Sequence, residues 1–342
     1  KEKELTEVSR RTLEEAISAG IHVVPVTGRP FSGIPENVME IEGIRYFITS
    51  NGANTYARHI PSDRDAGVVS AQTEADPCAG SPPAVSARAP GEGKPAPADG
   101  EDPALLGGDN VYVCGDRGEK VMLLRREHLP HALVRRVLEA APGEDVIREI
   151  FIRGYGYHDA RSEELLAARF TGTPVMDYIH RSRKPVVRDF ETLLSDETSH
   201  VENISLMFVS RDARNEALAR IMEIREAVGG REKTAGTEGN PPETDEPGIQ
   251  ILLPWKTDLE ITHILADKGL ALLDLAARLG IPAGEVMAIG DGDNDRPMLR
   301  MAGVSVAMGN APGFVRETAD LVTQDNEHDG AAEAIRRIAL RQ

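Results

Sequence analysis

Apolar residues in the first twenty positions recur at helical spacing. Val8, Leu13, Ala16 and Ile17 form a rough stripe behind Thr6, which can cap a helix, and Gly20 supplies a stop. The pattern then becomes a near-continuous apolar run, Ile21-His-Val-Val-Pro-Val26, of strand length. Runs apolar on both faces suit a strand buried in a parallel sheet covered by helices. Residues 45–49 predict a second such strand, ending in Ser50-Asn51-Gly52. From about Pro61 to Asn110 bulky residues nearly vanish, and Ala, Pro, Gly, Ser, Asp and Glu dominate. Such a stretch buries too little apolar surface to offset its ordering entropy, which predicts a mobile insertion. A shorter polar tract, 229–248, predicts another long loop.

Between these tracts the pattern is mixed. Strands are predicted over 111–113, 120–124, 146–152, 204–209, 249–253 and 259–262, with helices over 129–141 and 213–228. Residues 146–188 fit no single assignment beyond the first strand. The last part alternates again: helices over 268–279, 294–301, 312–318 and 330–340, and extended segments over 285–289, 304–307 and 320–322. An α/β unit at each end therefore brackets an inserted α+β unit. Strand-helix alternation at this spacing predicts a doubly wound sheet, whose ligands sit beyond the C-terminal ends of its strands.

Charge and composition narrow the partners. The 342 residues carry 39 Lys+Arg against 56 Asp+Glu, a formal net charge of −17. So acidic a surface repels nucleic acid and anionic lipid, yet a few local cations can still bind a small anion. No apolar run approaches the roughly 20 residues needed to span a bilayer. The N-terminal residues show no basic-then-apolar pattern, and the two cysteines, Cys78 and Cys114, are too few for a disulfide framework. The expectation is a cytoplasmic protein acting on a small molecule.

Strand ends carry the candidate chemistry. Ala288-Ile-Gly-Asp291-Gly-Asp293-Asn294-Asp295 sets three carboxylates and an amide at the tip of an apolar strand. That charge density calls for a partner, and Mg²⁺ takes carboxylate oxygens while keeping waters for a phosphate. A polar turn with Asn294 or Asp295 capping the next helix is the plainer alternative. An EF-hand is excluded, because its sixth and twelfth positions hold Arg296 and Ala302 instead of Gly and Glu. Val26-Thr27-Gly28-Arg29 follows a strand and offers a hydroxyl and backbone N–H groups to phosphate oxygens, or is simply a turn. Lys268 opens a helix, where it suits an anion or is an ordinary solvated lysine. The pairs His128/His131 and His158/Asp159 lack a third ligand and are expected at the surface, as is the basic run 181–184. Trp255 is expected to pack near the junction of the units.

In order, Val26-Thr-Gly-Arg29, Thr49-Ser-Asn-Gly-Ala53, Lys268-Gly269 and Gly290-Asp-Gly-Asp-Asn-Asp295 resemble the motifs of haloacid-dehalogenase-like (HAD) phosphatases of the Cof type. The resemblance covers roughly residues 1–56 and 249–342. It implies a Rossmann-type parallel core, residues 1–56 and 257–342, with a C2-type α+β cap over 57–256. It implies phosphate binding by Thr27, Gly28, Arg29, Asn51, Lys268 and Asn294, and Mg²⁺ binding at Asp291 supported by Asp295. The implied reaction is hydrolysis of a sugar phosphate or phosphorylated cofactor through an aspartyl-phosphate, with Lys268 and Thr27 as catalytic groups. That family's opening Asp-x-Asp-Gly-Thr strand does not precede Thr6, so a longer protein is expected to carry the nucleophile. A phospholigand binder without turnover and a phosphosugar mutase are the alternatives.

Overall fold

The computed structural model describes residues 5–58, 111–114, 119–184, 189–228 and 248–341. Both predicted insertions and Cys78 lie outside them, apart from Gly248. The opening helix runs Glu7–Ser18, and Thr6 caps it by accepting from the Ser9 N–H. Its register buries Thr12 and Ala16, while Leu13 and Ile17 pack on the cluster around Phe31, Ile41, Phe47 and Tyr56.

Residues 21–26 do not form the predicted strand. Val26 makes one parallel bridge to Ile48, Thr27 N–H donates to the Ile48 carbonyl, and Ile48 N–H donates to the Pro25 carbonyl. Pro25 has no N–H to extend the ladder, and the segment's other side borders a cavity, so one edge supplies all its pairing. Its neighbour, β1 (Tyr46–Thr49), turns back into β2 (Asn54–Ala57) through Ser50, Asn51 and Gly52, all with positive φ. Strands β3 (Val111–Cys114) and β4 (Glu119–Arg126) complete an antiparallel sheet ordered β1-β2-β4-β3.

A second, five-stranded antiparallel sheet is ordered β6-β5-β7-β9-β8. Its strands are β5 (Val146–Ile152), β6 (Tyr155–His158), β7 (Val201–Phe208), β8 (Ile249–Leu252) and β9 (Asp258–His263). Helices His131–Ala140 and Arg211–Ala227 cover one face, over Ile150, Ile204, Leu206, Leu259 and Ile261. The alternate residues point the other way, as the period of two requires. There Ser205 stands between Glu149 and Glu260, and Met207 is opposite Asp258. Helices Ala160–Phe170 and Pro174–Ser182, in the stretch the pattern left unassigned, pack on Ile147 at the edge of that face.

The chain then returns to α/β order. Helix Lys268–Arg278 leads to a parallel sheet of β10 (Met287–Gly290), β11 (Val304–Ala307) and β12 (Leu321–Val322). The last predicted helix is split, α-helical over Gly330–Ala334 and π-helical over Ile335–Ala339. Residues 21–26 and β10 border the same cavity of about 1990 Å³, and among the described residues no strand lies between them. Val24, Val26, Leu272 and Ile289 are half-buried along that gap. The five-stranded sheet faces the same cavity through Glu149, Ser205, Asp258 and Glu260.

Candidate active site

Four loops meet at one end of this cavity. Residues 27–29 leave the 21–26 segment, and the Thr27 hydroxyl accepts from the Arg29 N–H, tightening the turn. The left-handed loop brings Asn51 alongside, and its N–H donates to the Thr27 carbonyl. A Cβ at Gly28 would sit 2.7 Å from Asn51 Oδ1, so only glycine allows these loops to approach so closely. Gly52, at φ 96°, touches the backbone of Asp267, 2.5 Å from where its Cβ would be. That contact seats the start of helix Lys268–Arg278, whose cap Asp267 accepts from Gly269 and Leu270.

The fourth loop follows β10. Asp295 Oδ2 accepts from the N–H groups of Asp291 and Gly292, and Asp295 Oδ1 accepts from Lys268 Nζ at 2.6 Å. Lys268 is 5% exposed, so it is not the solvated surface lysine that its place in the sequence permits. Asn294 Nδ2 donates to Asn51 Oδ1, and Asn51 Nδ2 donates to Glu260 Oε2 of β9 at 2.7 Å. The five-stranded sheet is thereby tied to these loops. Burial raises the Glu260 carboxyl above its ordinary range, against the opposing effects of Asn51 and Lys268.

Thr27, Gly28, Asn51, Lys268, Asn294, Asp291 and Asp295 are therefore drawn together. Arg29 lines the same cavity, but its guanidinium donates to the Gly33 carbonyl and lies 4.7 Å from the Tyr178 ring centre. Asp291 is exposed, and its Oδ2 accepts from Asn310 Nδ2. It thus has a free carboxylate oxygen toward the cavity, whereas Asp295 has both oxygens engaged. No group of three His, Cys, Asp or Glu side chains placed to hold a metal ion is found among the described residues, so a Mg²⁺ ion here would take one carboxylate oxygen from Asp291 and would need further ligands.

Several expectations change here. His158 is buried and paired with Glu163, while Asp159 caps the following helix. His128 is shielded in a stack on His200, with its Nε2 against Asn54. The side chain of Arg183, from the basic run, is only 7% exposed and grips Glu149 through both carboxylate oxygens, at 2.7 and 2.8 Å. Trp255 does not pack at the junction and is 72% exposed. Glu260 was missed in the sequence; the alternation Asp258-Leu-Glu260-Ile-Thr262 was the available signal, with polar residues aligned on one strand face.

Known proteins match both parts. A family model for haloacid dehalogenase-like hydrolase matches residues 1–65 and 187–335. The chain is 44% identical over 92 residues to 5-amino-6-(5-phospho-D-ribitylamino)uracil phosphatase YcsE of Bacillus subtilis (strain 168), covering 27% of this chain and 37% of that one. It is 46% identical over 72 residues to a phosphoglycolate phosphatase of Methanopyrus kandleri, covering 21% and 31%. These alignments thus span about a third of each relative's length. In structure it resembles the HAD subclass IIB sugar phosphatase BT4131, with TM-score 0.62 at 18% identity over 98% of this chain and 92% of the other. A haloacid dehalogenase-like hydrolase from B. subtilis gives TM-score 0.63 at 20% identity, covering 97% and 93%. Identities this low speak to the fold alone, but the family model covers more than half of the sequence. The chain belongs to the haloacid dehalogenase-like hydrolases.

Proposed function

We propose that this protein hydrolyses a small phosphomonoester, a sugar phosphate or a phosphorylated cofactor, in a Mg²⁺-dependent reaction. The observation that carries the reading is the meeting of Lys268, the Thr27-Gly28 turn, Asn51, Asn294 and Asp291 at one end of a cavity roofed by a polar sheet face. Lys268, buried and held by Asp295, is a fixed cation that offsets charge on phosphoryl oxygens without reorganising. The Gly28 N–H and Thr27 hydroxyl orient those oxygens, and Asn294 adds a neutral donor. When bound at Asp291, Mg²⁺ supplies further charge neutralisation on the phosphoryl group.

Formation of an aspartyl-phosphate needs a carboxylate in line with phosphorus. Among the described residues, Asp295 is spent on Lys268 and two N–H groups, and Glu260 is held by Asn51. The gap between residues 21–26 and β10 opens beside the phosphate-type loops, where an extended segment bearing that carboxylate would reach them. The same occupancy of Asp295 and Glu260 favours a second reading, in which residues 1–342 bind a phosphoester without turning it over. Two cysteines, too few for a disulfide framework, favour a cytoplasmic setting. No described helix is long and apolar enough to cross a membrane.

Phosphate release from a panel of phosphomonoesters, with Mg²⁺ and with chelator, tests the reading, beside calorimetry with inorganic phosphate. Saturable release that needs Mg²⁺ and disappears in Asp291→Asn supports hydrolysis. Binding without release supports the second reading, and transfer of the phosphoryl group without release identifies a mutase. Absence of both binding and release overturns the assignment.

A further inference from the structure

Glu202 lies on β7, the middle strand of the five-stranded sheet, and is fully buried. Burying a carboxyl is costly unless donors meet it. The strand register shows how this one finds them. Phe151 is opposite Asn203 and Ile152 is opposite Val201, which leaves Glu202 as the extra residue of a bulge. A bulge breaks the alternation of faces and re-aims a side chain. Here the carboxyl reaches two turns at once: Oε2 accepts from Ser50 Oγ at 2.6 Å, and Oε1 accepts from the Gly154 N–H at 2.7 Å. Both turns are left-handed, with φ 49° and 60° at Ser50 and Asn51, and 51° and 79° at Arg153 and Gly154. Residues other than glycine hold that conformation only where their surroundings over-determine it. Ser50 is fully buried as well, and the next residue, Asn51, donates its N–H to the Thr27 carbonyl. The Asn51 side chain joins Asn294 to Glu260.

We infer that Glu202 is a positioning residue for the phosphoester site: it holds Ser50 in its left-handed turn and so keeps Asn51 set against Thr27 and Asn294. The inference rests on the phosphoester reading above and adds to it a residue that acts through Ser50. Glu260 holds the Asn51 side chain, and Glu202 fixes the backbone one residue earlier, so the sheet grips this loop at two successive positions. Without the second grip the loop samples other conformers. Phosphate then binds only the fraction that keeps the left-handed turn, and its apparent affinity falls by that fraction.

Calorimetry on the full chain with inorganic phosphate tests this without needing turnover, beside hydrogen exchange at residues 50–53, which reads the loop with no ligand present. Glu202→Ala and Ser50→Ala should each weaken phosphate binding about tenfold, as expected if the competent turn falls to about a tenth of the population. Exchange at 50–53 should rise in both. The double variant should be no weaker than either single one, because both remove the same hydrogen bond. Burial raises the Glu202 carboxyl to about 7, so the neutral amide of Glu202→Gln replaces it closely. Its oxygen accepts from Gly154 and its NH₂ donates to the Ser50 hydroxyl, and parent affinity should return. Val134→Ala, in the apolar cluster beneath the helices, should lower stability and leave affinity unchanged. If Glu202→Ala does not fold by circular dichroism, Ser50→Ala decides. Parent affinity and exchange in folded Ser50→Ala, a fall in Glu202→Gln as large as in Glu202→Ala, or an equal fall in Val134→Ala overturns the positioning role and leaves the phosphate site standing. A parent chain that binds no phosphate overturns both readings.

Discussion

Replacing Lys268 with methionine keeps the side chain's bulk and removes its charge. The lysine and Asp295 side chains are 5% and 9% exposed, and their contact is 2.6 Å. In the variant, the Asp295 carboxylate stays buried with only the N–H groups of Asp291 and Gly292. Removing one partner of a buried ion pair costs about 3–5 kcal/mol, because the other is left uncompensated. The two surviving hydrogen bonds to a charged acceptor place the expected loss at the low end, about 3 kcal/mol. Urea unfolding followed by far-UV circular dichroism should then show the midpoint falling by at least about 1 M, given slopes of about 1–3 kcal/mol/M. Asp295→Asn in the same background removes the stranded charge while still accepting from the two N–H groups. The double variant should be more stable than the sum of the single losses predicts, by at least about 1 kcal/mol. Phosphate affinity should fall in both Lys268 backgrounds. A Lys268→Met protein within about 0.5 kcal/mol of the parent, or an additive double variant, would refute the reasoning, since exposed pairs behave that way.

Gly28→Ala places a methyl 2.7 Å from Asn51 Oδ1 and displaces the amide that bridges Asn294 and Glu260. Overpacking of this kind costs about 1–3 kcal/mol, and phosphate binding should weaken about tenfold by calorimetry; unchanged affinity argues against the Asn51 bridge. Arg183→Met strands Glu149 under the five-stranded sheet and should destabilise by about 3–5 kcal/mol, partly restored by adding Glu149→Gln. Burial raises the Glu202 carboxyl to about 7, although it accepts from Ser50 and from the Gly154 N–H. Folding therefore favours its protonated form, and the stability it contributes below about pH 4.5 is lost as pH rises toward 7. Glu202→Gln should lack that loss, which amounts to at most about 3 kcal/mol, and parallel stability curves for the two proteins would dismiss it. Burial pushes His200 the other way, down to about 4, so its contribution is present above about pH 6.5 and disappears as pH falls through 4. His200→Asn should flatten that acid limb, as seen by denaturant titrations at successive pH values.

Local pattern proved sufficient wherever one element's own periodicity decides its state. Strand 146–152 and strand 304–307 have the predicted bounds, and helix 268–278 ends one residue early. The candidate loops stood out because Thr-Gly, Asn-Gly and Gly-Asp-x-Asp are unusual at strand ends, and the structure brings them together. What the pattern could not give is what lies alongside. Residues 21–26 have strand composition and half a strand's partners, so they stop at one bridge. His158, Arg183 and Glu202 look like surface residues because their partners, Glu163, Glu149 and Ser50, are distant or ordinary in sequence. Trp255 shows the converse, since a large apolar side chain gives no sign in sequence that its turn faces outward.

Thr6 and Ser9 both donate their hydroxyls to one oxygen of Asp329, the left-handed residue that opens the last helix. The first helix is thus fastened by a residue that leaves the ribosome more than three hundred positions later. The five-stranded sheet, by contrast, has all its strands once His263 has emerged. Synthesis at roughly 5–20 residues per second leaves an interval on the order of seconds in which the sheet can form but the α/β halves cannot close. During that interval the half-buried valines and leucines of the opening segment wait for their partners. They are the surface a chaperone would be expected to hold, and a stall placed just before Asp329 should leave that end of the nascent chain protease-sensitive while the sheet resists.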